Sequence, residues 1–373
     1  MDRRQFMQVT ASAPTILGLA AKGAGEIPQY KVVTRSKSTG AGMPGAYPAR
    51  VVSVHREDSI NPETEVVNAA AVRQMVDQGM QSLTGHRDAR DSWAKFFQPD
   101  DVVGIKINAS GAPAICSHPV VVGEIARNLV SVGVRPENIW VHERNKSQVD
   151  TVPYAELLPK EAHVVTADVY LGYDPFTYVE ANFFGEDDTR SNMVRLASEK
   201  LTKIINVPNM KDHSASGVTG CLKNIAYGEF NNVARSHQYT ETNTLSFIGT
   251  LATVEPLRSK TVLNIMDGLK GVWHAGPFSY SRKFRFYPKQ MMFGTDPVAM
   301  DRLLIDVIEN KRKAENAVSV WERSSKYMDA KKFSSDANFN RFVREPGHIE
   351  FAGKLGLGIY DKSKIDLREL RLS

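Results

Sequence analysis

Cysteine is almost missing from this chain: Cys116 and Cys221 are the two it has in 373 residues. Two thiols are too few for a four-cysteine iron–sulfur cluster or a Cys₄ zinc centre, so no such group is held by the chain's own cysteines. In an oxidising compartment the pair could close one disulfide, a pairing that sequence alone leaves open. Beyond the segment from Val9 to Ala21, no run is long and apolar enough for a bilayer span of about 20 residues, so no stable membrane anchor is expected. A basic block is lacking too: 47 Lys and Arg are interspersed with 42 Asp and Glu, for a formal charge of +5. That pattern argues against nucleic acid as a partner, while a mildly basic chain can still focus small anions into a cleft. GxGxxG after a strand, a Walker-type loop, HExxH and GxSxG are all absent, which removes support from nucleotide, zinc-protease and serine-hydrolase chemistry.

What is present is the composition of a folded protein, 42% hydrophobic and 24% charged. The first residues, MDRRQFMQVTASAPTILGLAAKG, place Arg3-Arg4 before a short uncharged apolar run. This resembles a bacterial twin-arginine signal over 1–21, and it implies a periplasmic or otherwise exported protein with the twin-arginine translocase as its partner during export. Residues 22–49 read as a linker and 50–373 as one large domain.

Hydrophobic periodicity predicts strands at Arg50–Val54, Asp101–Asn108, Asn138–Val141, His163–Tyr170, Lys203–Val207, Thr261–Met266 and Lys289–Phe293. Helices are expected from Val67 to Gly85, from Pro119 to Gly133, over Met193–Lys200, over Val218–Tyr227 and over Pro297–Lys311. Strands alternating with helices predict an α/β fold, a mostly parallel central sheet flanked by helices, with a ligand cleft at the strand carboxyl ends. The segment from Lys311 to Arg344, charged and without clear period, reads as peripheral.

Polar residues gather in three clusters. The first is NVPNMKDHSASGVTGCLKNIAYG, Asn206 to Gly228, where Lys211 and His213 sit in a loop before a short helix. At about 100° per residue, Val218, Cys221, Leu222 and Ile225 share one helical face, and Thr219, Lys223, Asn224 and Tyr227 the other. Free N–H groups at the helix start, with two lysines, suit a phosphate or carboxylate. The second cluster, GIKINASGAPAICSHP, places Lys106 and Asn108 on one strand face and His118 at a helix entry. The third contains Asp267-Gly268, read as a strand terminus where a carboxylate could bind a cation or take a proton, and Asp296-Pro297, a strong N-cap arrangement. Asp301, inside the following helix, could pair with a lysine of the site.

Together the blocks VVGIKIN, NVPNMKDHSASGVTGCLKNIAYG, MDGLKGVWHAGP and FGTDPVAMD resemble the bacterial and archaeal domain of unknown function 362, from about Arg50 to the GKLGLGIYD that ends at Asp361. Ile107 departs from that family's pattern. The resemblance implies that Lys106, Asn108, Lys211, His213, Thr219, Lys223, Asn224, Asp267 and Asp296 form a shared site, without assigning their roles. Some members are joined to ferredoxin-type iron–sulfur domains, so the resemblance implies a possible redox association, although this chain lacks the cysteines for such a domain of its own. The expected partner is a small anionic molecule. Lys211 and Lys223 would neutralise charge, and His213 would be the acid/base. Asp267 would serve as base, Lys106, Asn108, Thr219, Asn224 and His118 would bind substrate, and His213, Asp267 and Asp296 would be the ligands if a divalent metal takes part. A metal-assisted hydrolase or lyase, a redox-associated enzyme and a non-catalytic binding protein are all consistent with this set.

Overall fold

A computed structural model describes residues 27–238 and 242–373. Its main sheet contains, in chain order, β1 (Arg50–Arg56), β2 (Val103–Ile107), β3 (Ile139–Glu143), β4 (His163–Thr166), β5 (Lys203–Val207), β6 (Asn209–His213), β7 (Gly217–Thr219), β8 (Thr261–Val272), β9 (Gln290–Gly294) and β10 (Asp366–Leu372). The path across it is β10-β1-β9-β8-β5-β2-β3-β4. Only β9 runs against the rest of this path, so the sheet is mostly parallel. The twin-arginine reading falls on residues 1–21, outside the described residues.

Helices cover both faces, and the period of two along each strand decides which. Val52, Val54, Ile105, Ile205 and Phe293 turn towards α1 (Ala69–Thr84) and α2 (Pro119–Ser131), packing on Val72, Met75 and Ile125. Their neighbours Val51, Ile204 and Met292 turn the other way. There they meet α3 (Cys221–Gly228), α4 (Thr244–Ala252), α5 (Pro297–Ala314) and α6 (His348–Lys354), through Ile225, Phe247, Leu304 and Ile349. Strands buried on both sides must be apolar on both, which is why β2 and β5 read as near-continuous hydrophobic runs. Each fully buried aliphatic side chain here contributes about 1.5–3 kcal/mol.

Several boundaries differ from the sequence reading. Part of the expected linker is packed down: Tyr30 stacks on Phe247, Met43 is buried, and Lys31–Val33 joins a small antiparallel sheet with Tyr173–Glu180 and Arg190–Val194. The strand from His163 stops at Thr166 and gives way to a wide helical turn, Ala167–Leu171. The helix expected over Met193–Lys200 is split into the end of a strand and a turn, Leu196–Lys200. Cys116 and Cys221 are both buried and free.

Two differences bear directly on the site. The strand expected to end at Met266 continues to Val272, so Asp267 lies inside β8, at the point where its neighbour changes from β5 to β6. And the helix expected from Val218 begins at Cys221, because Gly217–Thr219 folds back on β6 as a hairpin, pairing Thr219 with Lys211. Gly228 is the last residue of that helix.

Candidate functional site

Beyond the carboxyl ends of β2, β3 and β5, where an open parallel sheet presents its loops, lies a cleft of about 340 Å³. Its polar wall is formed by Asn108, Arg144, His213, Thr219, Lys223 and Asn224. Tyr227, Phe278, Tyr280, Phe333 and Phe342 supply aromatic surface, and His237 and Arg341 complete the rim. Five of the expected residues therefore meet: Asn108, His213, Thr219, Lys223 and Asn224.

Lys223 is the feature that stands out. Its Nζ lies 4.5 Å from the centroid of the Tyr227 ring and, among the described residues, has no hydrogen-bond acceptor or carboxylate partner. Burial, with Arg144 and Lys211 nearby, draws its pKa down to about 7. The Thr219 hydroxyl is buried without a partner. Arg144 donates one Nη to the Phe230 carbonyl and makes no ion pair among the described residues. Among the described residues Glu143 is the one carboxylate on the wall, and its charge is matched by Lys106 at 2.7 Å. The cleft is thus a concave surface with an excess of cationic groups.

His213 has a role narrower than expected. Its Nδ1 accepts from the backbone N–H of Ala215 at 3.0 Å and of Ser216 at 3.1 Å. A nitrogen that accepts has its lone pair engaged, so the ring proton sits on Nε2. Burial, with Lys223, His237 and His348 around it, pushes the pKa well below its ordinary value. The imidazole is neutral, and its Nε2–H is a hydrogen-bond donor; neither nitrogen offers a lone pair to a proton or a metal, which corrects the acid/base and metal-ligand roles.

Lys211 lies behind the wall instead of on it. It is fully buried and donates to Asn108 Oδ1 at 2.6 Å, to the Ile115 carbonyl at 3.2 Å and to the Ser110 carbonyl. Burial, partly opposed by Cys116, Glu143 and Asp267, draws its pKa down to about 7. Three acceptors on one nitrogen need three N–H donors, however, so the geometry requires the ammonium. From it runs a row of amides. Asn108 Nδ2 donates to Asn224 Oδ1 at 3.0 Å, and Asn224 Nδ2 to Asn206 Oδ1 at 2.8 Å. Asn206 Nδ2 donates to Asn264 Oδ1 at 2.9 Å, and Asn264 Nδ2 reaches the Thr295 carbonyl at 3.4 Å. Every bond points the same way, an arrangement in which each polarises the next.

The other expected residues hold the fold together. Lys106 has no exposed surface and pairs with Glu143 and the Ile107 carbonyl. His118 is an N-cap whose Nδ1 accepts from Val120 N–H. Asp267 takes the backbone N–H of His118 at 2.7 Å and of Leu269 at 3.0 Å, and burial raises its pKa to about 6. Asp296 caps α5 at Ala299 and also accepts from Ala49 and Ile359. His213, Asp267 and Asp296 thus spend their acceptors in three different places. Among the described residues no group of three or more His, Cys, Asp or Glu side chains is arranged to hold a metal.

Nor is the start of α3 an anion site. Asp301 accepts from Cys221 N–H at 2.6 Å and Leu222 N–H at 2.9 Å, filling the place a ligand would take. Gly220 permits this approach, since a Cβ there would lie 2.1 Å from Asp301 Oδ1. Asp301 therefore pairs with the helix terminus rather than with a lysine. The polar face assigned to α3 is buried too, but unlike the apolar face it keeps a little surface, which lines the cleft.

The segment 311–344, read as peripheral, proves integral. Buried Arg312 and Arg344 flank Asp212 of β6, Asn340 Nδ2 reaches the Ser214 carbonyl at 2.6 Å, and Phe333, Arg341 and Phe342 line the cleft. Sequence reasoning missed these and His237, because they lack regular spacing and join the cleft over long separations.

The family profile described as Domain of unknown function (DUF362) matches residues 103–306. Comparison with curated proteins gives no match. Among solved structures, a protein from Thermotoga maritima, a Northeast Structural Genomics Consortium target, matches at 9% identity with a TM-score of 0.30. The match covers 55% of this chain and about half, 51%, of that one.

Proposed function

The chain belongs to the domain of unknown function 362 family, and from that premise we propose that its cleft binds a small organic anion, a carboxylate or a phosphate, as the substrate of an enzyme. The observation that carries this reading is the unmatched charge on the wall: Lys223, Arg144 and Arg341 face the cleft, while Glu143, the one acid among the described residues of the wall, is engaged by Lys106. Lys223 is buried while Arg144 is half-buried and Arg341 exposed, and a desolvated cation without a partner, as Lys223 is among the described residues, is unfavourable unless an anion arrives to complete it. The His213 Nε2–H and the free Thr219 hydroxyl add directed donors of the kind that recognise an oxyanion, and the aromatic wall suits the apolar part of the molecule. Asn108 and Asn224 orient it. Lys106, Lys211, His118, Asp267 and Asp296 act in support, holding the elements on which the cleft is built.

Calorimetric titration with a panel of 2-oxo acids, hydroxy acids and phosphate esters tests this. Binding should be weakened by about tenfold or more when Arg144 is replaced by Ala, as expected for loss of a charged hydrogen bond. A panel without any binder, or binding unaffected by Arg144→Ala, would sink the proposal.

We also propose that residues 1–21 direct export through the twin-arginine route; the motif of Arg3-Arg4 before an apolar run supports it. Arg3→Lys together with Arg4→Lys should retain the protein in the cytoplasm, as read by cell fractionation. An unchanged periplasmic share would refute it.

A further inference from the structure

We propose that Lys223 is a nucleophile that forms a reversible imine with a carbonyl carried by the anionic ligand. This rests on the anion-cleft reading and goes further, since it names both the chemical class of the ligand, a small oxo acid, and a covalent step. A lysine suited to this chemistry must be reachable, unpaired and disfavoured as an ammonium. Lys223 Nζ lies on the cleft wall, has no acceptor among the described residues, and sits against the Tyr227 ring. Two cationic side chains, Arg144 and Lys211, lie close enough to disfavour its charge. Desolvation together with a neighbouring cation is the arrangement that leaves a lysine amine free to attack at neutral pH. Its pKa of about 7 agrees with that.

Neighbouring groups supply the remaining parts. The guanidinium forks of Arg144 and Arg341 can hold the carboxylate, which leaves the amine for the carbonyl. The Nε2–H of His213 is a neutral donor placed on the same wall, suited to the developing alkoxide. In the step itself the Nζ lone pair attacks the carbonyl carbon as the C=O π pair moves to oxygen. One proton passes from nitrogen to that oxygen, giving a carbinolamine. The oxygen then takes a second proton and leaves as water while the nitrogen lone pair closes C=N; loss of the remaining N–H proton restores the balance. One amine and one carbonyl thus give one imine and one water, with no oxidant or reductant.

The test uses the full chain with glyoxylate, pyruvate or 2-oxoglutarate and cyanoborohydride, which reduces an imine to a stable secondary amine, followed by peptide mass mapping. Lys223 should be labelled at least about tenfold faster at pH 7 than the exposed Lys160, because a larger share of it is the neutral amine. Labelling of Lys223 should also be slowed by lactate, which has the carboxylate and lacks the carbonyl. Label spread over exposed lysines with Lys223 no faster, or labelling of Lys223 indifferent to lactate, would overturn the proposal. The lactate arm needs no variant and so does not depend on a substitution folding. If calorimetry shows the oxo acids bind without any label at Lys223, the imine fails and the anion site stands. If they neither bind nor label, both fail.

Discussion

Lys223→Met is expected to give a protein that is more stable than the parent at pH 7 and has lost its anion. Burial, Arg144 and Lys211 take the Lys223 pKa from an ordinary 10.5 to about 7 in the folded state. Between those values the folded chain binds fewer protons than the unfolded one, so the parent gains stability as pH rises from 7 towards 10.5. Below 7 the folded state holds an ammonium that the unfolded state would hold more easily, and the destabilisation is complete. Met removes this penalty at similar volume. Each pH unit between the two values is worth about 1.4 kcal/mol, and allowing for water in the cleft the variant should gain ~2 kcal/mol at pH 7. That advantage should shrink steadily as pH approaches 10.5. Thermal melts at pH 7 and 10, beside titration with the best anion, would check this. A variant that melts below the parent at pH 7, or a difference independent of pH, would contradict it. A residue whose removal stabilises the fold while abolishing binding is retained for what it binds.

The opposite sign is expected behind the wall. Glu143→Leu should destabilise the protein by about 3–5 kcal/mol, because it leaves the Lys106 ammonium, which has no exposed surface, without its carboxylate. Lys106 cannot swing out to water: its end lies under Gly228, where even an added Cβ would come within 2.5 Å of Nζ. Although burial alone would raise the Glu143 pKa, Lys106 and the N–H of Arg144 hold it below 4.5. The pair's contribution is therefore full at neutral pH and lost as pH falls through that lowered value. Lys106→Met combined with Glu143→Leu should recover most of the loss, since a matched apolar pair leaves no buried charge. Urea unfolding with an unchanged slope would measure both. A cost under about 1 kcal/mol for the single variant would show that the charge is not stranded.

How far the sequence could be read depended on whether a signal was local. The strands Arg50–Arg56 and Lys203–Val207 and the helix Ala69–Thr84, with Asn68 at its start and Gly85 at its end, follow from apolar period and capping chemistry within the segment. Thr219 was placed on a helix because Val218 and Cys221 fit a helical face, yet hairpin pairing with Lys211 took precedence. Tertiary context overrode period there. The same limit applies to Lys106, Lys211 and Lys223, three lysines that look alike in sequence. One is paired with Glu143, one is surrounded by carbonyl and amide oxygens, and one is left open to the cleft. Only the long-range partners distinguish them. Asn206 and Asn264 carry no signal in the sequence, because an asparagine in an apolar strand has no pattern of its own.

The row of amides from Asn108 to Asn264 has ends of opposite kind. Lys211 at one end can only donate, and the Thr295 carbonyl at the other can only accept. Turning a single amide over would set oxygen against oxygen on one side and N–H against N–H on the other. Turning all four together would fail at both ends. The row thus behaves as a parity lock. Which atom Asn108 and Asn224 present to the cleft is settled across the width of four strands and a helix, and the order of donors and acceptors on that wall is written into the sheet.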